Sequence, residues 1–123
     1  MTFGPHITID LSGCNIDKLQ NLELHHDILA YLPALIGMTS ITQPYCFKYS
    51  GLVPADKGLT GFIVIAQSHI SIHSFQEKGY CFVDIFSCEP FDTGKAIDFI
   101  VNALEPTSYK TNIVERGLDF PRN

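Results

Sequence analysis

Basic residues are scarce in this chain: eight Lys and Arg stand against thirteen Asp and Glu, a formal net charge of -5 over 123 residues. A nucleic-acid binder carries a basic patch or stripe, and this balance argues against one. Long apolar runs are missing as well. Nothing approaches the roughly 18 residues that a membrane helix needs, and the longest candidate, Gly61 to Ala66, has the length of a strand. The opening MTFGPHITID has no basic segment followed by an apolar one, so no signal peptide is expected and the cytoplasm is the default compartment. None of the four cysteines (Cys14, Cys46, Cys81 and Cys88) has C-x-x-C spacing. In a reducing compartment they remain thiols. With no repeat, low-complexity tract or linker, one domain over residues 1–123 is expected.

What is present is core material. The chain is 46% hydrophobic and 17% charged, the balance of a compact fold and not of a disordered segment. Ile7, Ile9 and Leu11 alternate with Thr8 and Asp10, which predicts a half-buried strand over His6 to Leu11. Asn15 or Asp17 can cap a short helical turn and Asn21 a longer helix, in which Leu24, Ile28, Leu32, Leu35 and Ile36 share a face. Pro33 predicts a kink or break there, and Gly37 a stop. Further strands are predicted over Ser40–Tyr49 (flawed by Pro44), Gly61–Ala66, Ile70–Ser74, Tyr80–Ser87 and Thr107–Val114. Ser50–Thr60 reads as loop and Glu77-Lys78-Gly79 as a turn. A helix capped by Asp92 or Thr93 runs to Leu104.

The order is βαββββαβ. Short turns between consecutive strands imply a mainly antiparallel sheet. The expected fold class is therefore α+β, a two-layer α/β sandwich with two helices on one sheet face. Phe, Tyr and Ile are too frequent in these strands for the other face to be fully wet, so a homo-oligomer, a dimer or larger, is expected.

Single residues say little about chemistry. His69 and His73 would share a face of a helix, but on a strand they lie roughly 13 Å apart, and one ion cannot bridge them, so no metal site is expected. His25 and His26 read as surface histidines. Ser68 lacks a G-x-S-x-G context and by itself reads as part of a polar turn.

The run TGFIVIAQSHISIHSFQEKGYCFVDIFSC, Thr60 to Cys88, is more specific. It resembles the signature of the S-adenosylmethionine decarboxylase proenzyme family in its short prokaryotic form: a small hydroxyl residue, Gly, an apolar strand, Glu-Ser-His, a second strand with His, an aromatic-Pro-Glu segment, Gly-Tyr, and a strand ending in Cys. GPHITIDLSGC and the element order extend the likeness over nearly the whole chain. The resemblance implies a self-processing carboxy-lyase whose covalent pyruvoyl cofactor is made from Ser68, with backbone cleavage between Gln67 and Ser68. It implies that His73 helps remove the alpha proton during that cleavage, that Thr60 stands where the family has an assisting serine, and that Cys88 reprotonates the substrate carbon after carbon dioxide leaves. The pyruvoyl carbonyl would hold the amine of the substrate, S-adenosylmethionine, as a Schiff base. The product would be decarboxylated S-adenosylmethionine, for spermidine synthesis. Phe75 and Phe47 would wall the adenine, and Glu77 would contact the ribose hydroxyls.

Departures from the pattern keep other readings open. Gln67 replaces the usual glutamate, Thr60 replaces serine, Phe75-Gln76 replaces Trp-Pro, and the Ser50–Leu59 loop is longer than usual. An unprocessed, non-catalytic homologue serving as a binding or regulatory subunit, or a pyruvoyl decarboxylase for arginine or ornithine, would fit the same framework. Taken alone, Cys88 could be an inert buried thiol, and Phe47 and Phe75 ordinary core aromatics.

Overall fold

The computed structural model describes residues 2–50, 52–66 and 68–122. Strand β1 spans Gly4–Ser12, longer than expected at both ends, and leaves the sheet at Gly13, whose φ of 62° suits a residue without Cβ. Asn15 caps α1 (Ile16–Leu19), its side chain accepting from Lys18 N. Asn21 caps α2 (Leu22–Leu35), its Oδ1 accepting from Leu24 N at 2.9 Å. Pro33 does not break this helix. It sits in the last turn, buried, where its missing N–H costs one bond. Its carbonyl accepts from Met38 N at 2.7 Å, and Gly37 at φ 78° turns the chain away.

Strand β2 is shorter than expected, Tyr45–Tyr49, because Pro44 has no N–H to give a ladder; Ser40 keeps only an isolated bridge to Ile65. A short 3-10 turn follows at Pro54–Asp56. Strand β3 runs Gly58–Ile65, so the end of the expected loop joins the sheet. Gly58 permits this, since a Cβ there would come within 1.7 Å of the Ser74 carbonyl oxygen. Strand β4, Ser68–Phe75, begins at Ser68 itself, which is thus the first residue of a strand. Strand β5 (Tyr80–Phe86) precedes α3 (Thr93–Leu104), capped by Asp92 and ended by Glu105 in the left-handed region. Strand β6, Ser108–Arg116, is exposed along its length.

The six strands form one antiparallel sheet in the order β2-β3-β4-β5-β1-β6, so β1 is inserted between β5 and β6. The two long helices cover one face. Ile7, Ile9, Ile63, Ile70, Ile72 and Ile85 of the sheet share a single core with Leu29, Leu32, Ile100 and Leu104 of the helices. Each such side chain is worth about 1.5–3 kcal/mol of transfer free energy. No helix among the described residues is long and apolar enough to cross a membrane.

His25, expected at the surface, is fully buried under this sheet, whereas His26 is exposed. Its Nδ1 donates to the Asn21 carbonyl at 2.8 Å, which leaves Nε2 to accept from the Ser74 hydroxyl at 2.5 Å. Ser74 Oγ is in turn 3.4 Å from the Cys81 sulfur, and burial pushes that thiol up to about 12. Burial holds the His25 pKa below its ordinary 6.5, the Asn21 carbonyl opposing weakly. The unfolded chain therefore binds a proton that the folded chain resists. The contribution of His25 is complete above about pH 6.5 and is lost as pH falls below it. Urea unfolding at pH 7.5 and 5.0 should show stability dropping with acid, and His25→Gln should flatten that drop while lowering stability at pH 7.5 by about 1–3 kcal/mol.

Candidate active site

Alternation along the strands sorts the expected site residues onto the two faces of the sheet. In β4 the even positions Ser68, Ile70, Ile72 and Ser74 are buried toward the helices. The odd positions His69, His73 and Phe75 point to the open face. In β3 the partner register places Thr60 opposite His73, with Phe47 of β2 next in the same row.

On the open face this row brings together half of the candidate site residues. His73 Nδ1 lies 3.4 Å from Thr60 Oγ1, at the end of hydrogen-bonding range. Both line a cavity of about 430 Å³ with Phe47, Tyr49, Asp56 and Phe75. Phe47 and Phe75 therefore wall a cleft and are not core aromatics; Phe47 is 47% exposed. A second cavity of about 390 Å³ shares Phe75 and Asp56 and adds Lys78, Tyr80 and Phe82. Such volumes suit a small ligand. Glu77 is not among the lining residues. It pairs with Lys57 at 3.7 Å in the β4–β5 turn. The carboxylate that does line both cavities, Asp56, was missed by sequence reasoning. Its Oδ1 accepts from Lys78 Nζ at 2.7 Å, which pins the 3-10 turn over the β4–β5 hairpin. An acidic residue in an otherwise loop-like stretch was the only signal for it.

The other half lies at the β3–β4 turn. Ser68 Oγ and Cys88 Sγ each donate to the carbonyl of Ala66, both at 3.2 Å. One backbone oxygen thus brings together two side chains twenty residues apart in sequence. Ser68 is nearly closed to solvent at 6% exposure, and Cys88 is partly exposed and not a buried thiol. The remaining cysteines are less available: burial raises Cys14 to about 11, Cys81 to about 12, and Cys46 above its ordinary value. Gln67, the other member of the expected cleavage site, lies outside the described residues.

Within one chain the two halves do not meet. Ser68 and His73 are on opposite faces and roughly 16 Å apart along the strand at about 3.3 Å per residue.

Comparison with known proteins identifies the family. The sequence matches the S-adenosylmethionine decarboxylase family over residues 5–117. It is 32% identical over 118 residues to the S-adenosylmethionine decarboxylase proenzyme of Aquifex aeolicus, covering 95% of this chain and 83% of that protein. Against the proenzyme of the same name from Thermococcus onnurineus it is 30% identical over 119 residues, covering 96% and 80%. The crystal structure of the adenosylmethionine decarboxylase from Aquifex aeolicus superposes with a TM-score of 0.81 at 30% identity, covering 99% of this chain and 98% of that one. With its six-stranded antiparallel sheet, its two long helices and its match along nearly the whole sequence, this chain belongs to the S-adenosylmethionine decarboxylase family.

Proposed function

We propose that the chain is a single-domain proenzyme that cuts itself between Gln67 and Ser68 and then decarboxylates S-adenosylmethionine. The observation that carries this reading is the Ala66 carbonyl, on which the hydroxyl of Ser68 and the thiol of Cys88 converge at the turn where the cut is expected. A hydroxyl held at a tight turn and shielded from water fits a pyruvoyl precursor. Ser68 Oγ adds to the Gln67 carbonyl carbon, and the C–N bond breaks as the C–O ester bond forms. Removal of the Ser68 Cα proton then breaks Cβ–Oγ, and residues 1–67 leave as a carboxylate. The dehydroalanine left at position 68 takes up water and loses ammonia. Imidazole suits that proton removal near neutral pH, and the Thr60 hydroxyl beside His73 orients the ring.

The pyruvoyl group supplies a carbonyl that condenses with the substrate amine and draws electrons as the carboxylate departs. The chain's own residues do the rest. Phe47 and Phe75 give the cleft two aromatic walls suited to adenine, and aromatic faces also suit a sulfonium cation. Cys88 holds an exchangeable proton beside the expected cleavage turn, from a partly open site.

Because Ser68 and His73 face opposite ways, we infer that the working site is completed by a second copy, whose Thr60–His73 pair meets the Ser68–Cys88 turn. The open face supports such an assembly. Tyr45, Phe47, Phe62 and Phe82 are each 40% exposed or more on β2, β3 and β5, a cluster of apolar side chains of the kind that marks an interaction surface. We extend the reading to spermidine synthesis, as the resemblance of the sequence motifs implies, and to a cytoplasmic setting.

Intact mass under denaturing conditions should give two fragments, residues 1–67 and 68–123, the second blocked at its N-terminus. A single full-length mass after long incubation would return the chain to the non-catalytic reading that Gln67 and Thr60 keep open. Ser68→Ala should abolish the cut, and a Ser68→Ala chain that still splits there would refute the mechanism. Cys88→Ser should process normally yet release carbon dioxide from S-adenosylmethionine roughly 10²-fold more slowly.

A further inference from the structure

A second cluster of chemically capable side chains lies on the open face, outside both halves of the site. His6 of β1 and His69 of β4 stand opposite Phe86 from either side, and Asp84 of β5 reaches between them. Their ligand atoms lie within 4.8 Å of one another. Asp84 Oδ1 is 3.5 Å from His6 Nε2 and 3.5 Å from His69 Nε2. His6 Nε2 and Asp84 Oδ1 are buried, and neither has a hydrogen-bond partner among the described residues. Buried polar atoms are rarely left so. Meanwhile Ser71 Oγ donates to the other carboxylate oxygen, Asp84 Oδ2, at 3.0 Å. That bond turns Oδ1 toward the histidines, as outer-shell donors do around metal ligands.

We propose that His6, His69 and Asp84 bind one divalent transition-metal ion of the zinc class, leaving a fourth position open. Two imidazoles and one carboxylate suit borderline metals, whereas calcium and magnesium take oxygen ligands. Zinc–ligand bonds of about 2.0–2.1 Å in a tetrahedron put ligand atoms roughly 3.3 Å apart. Two of the three edges here are already close to that. The ion would brace β1, β4 and β5 together. It would sit on the residue directly after Ser68, and so at the start of the strand downstream of the proposed cut. It lies apart from the Thr60–His73 pair, since His69 and His73 are roughly 13 Å apart along β4. The inference does not rest on the decarboxylase reading.

Arg116 opposes the metal. Its Nη1 lies 3.2 Å from His6 Nδ1, while its guanidinium stacks over Phe86 at 4.3 Å from the ring centre. A guanidinium only donates, so it favours the neutral His6 tautomer with the proton on Nε2, the atom the metal needs. Metal entry requires Arg116 to release Nδ1 and the proton to move there. Arg116→Gln removes the positive charge and offers an oxygen to accept from Nδ1–H.

The test is titration of the intact protein with Zn²⁺ and Co²⁺, followed by calorimetry and by visible absorption of cobalt. The expected result is one ion per chain and the ligand-field bands of low-coordinate cobalt without a thiolate charge-transfer band. Affinity should fall at least about tenfold in His69→Gln and in Asp84→Asn, and rise in Arg116→Gln, each variant keeping the wild-type circular dichroism. The proposal is overturned by a wild-type chain that binds no stoichiometric ion, by an affinity unchanged in both ligand variants, or by a thiolate band showing that the cysteines take the metal.

Discussion

The strict two-residue alternation of a single antiparallel sheet governs this molecule. With helices on one face only, the inner strands β1, β3, β4 and β5 each send one parity of side chains into the core and the other to the open face. In β4 the core takes Ile70 and Ile72 and therefore also Ser68 and Ser74. The open face takes His69, His73 and Phe75 by the same rule. No rotation of side chains can reverse this, because slipping the register by one residue would expose the isoleucines. The separation of Ser68 from His73 thus follows from the hydrophobic pattern itself. The proposed reaction, which uses both, would therefore draw on two copies of the sheet.

Much of this was legible in the residues. The cap at Asn21, the cap offered by Asp92 or Thr93 and taken by Asp92, the stop at Gly37 and the alternation of β1 each rest on local chemistry, and each stands in the structure. The two-layer α+β arrangement followed from element order and short turns. Local rules failed where distant contacts decide. Pro33 stays in its helix because the last turn has little left to lose and the core buries the ring. The insertion of β1 between β5 and β6 joins segments nearly a whole chain apart, which no periodicity reports. His25 looks like any surface histidine until Ser74, forty-nine residues later, is seen against its Nε2.

The site shows the same division. Thr60 and His73 face each other through the β3–β4 register, and Ser68 and Cys88 meet on one carbonyl. Motif resemblance had grouped all four, and the spacing of the residues alone had not. Phe47 and Phe75 line a cleft on the open face. Asp56, held at the cleft by its bond to Lys78, lines it, while Glu77 pairs with Lys57 in the β4–β5 turn. A loop residue placed by a long-range ion pair leaves almost no mark in sequence.

The most direct test of the account is complementation between two inactive chains. Ser68→Ala keeps an intact Thr60–His73 half, and His73→Ala keeps an intact Ser68–Cys88 half. Each alone should be unprocessed and inactive. If the site forms between copies, refolding an equal mixture should restore self-cleavage in the His73→Ala chain only. Decarboxylation should then appear at about a quarter of the wild-type level, since random pairing makes one whole site in half of the dimers. A mixture as inert as its components, with the wild type active, would contradict the account and place both halves within a single chain.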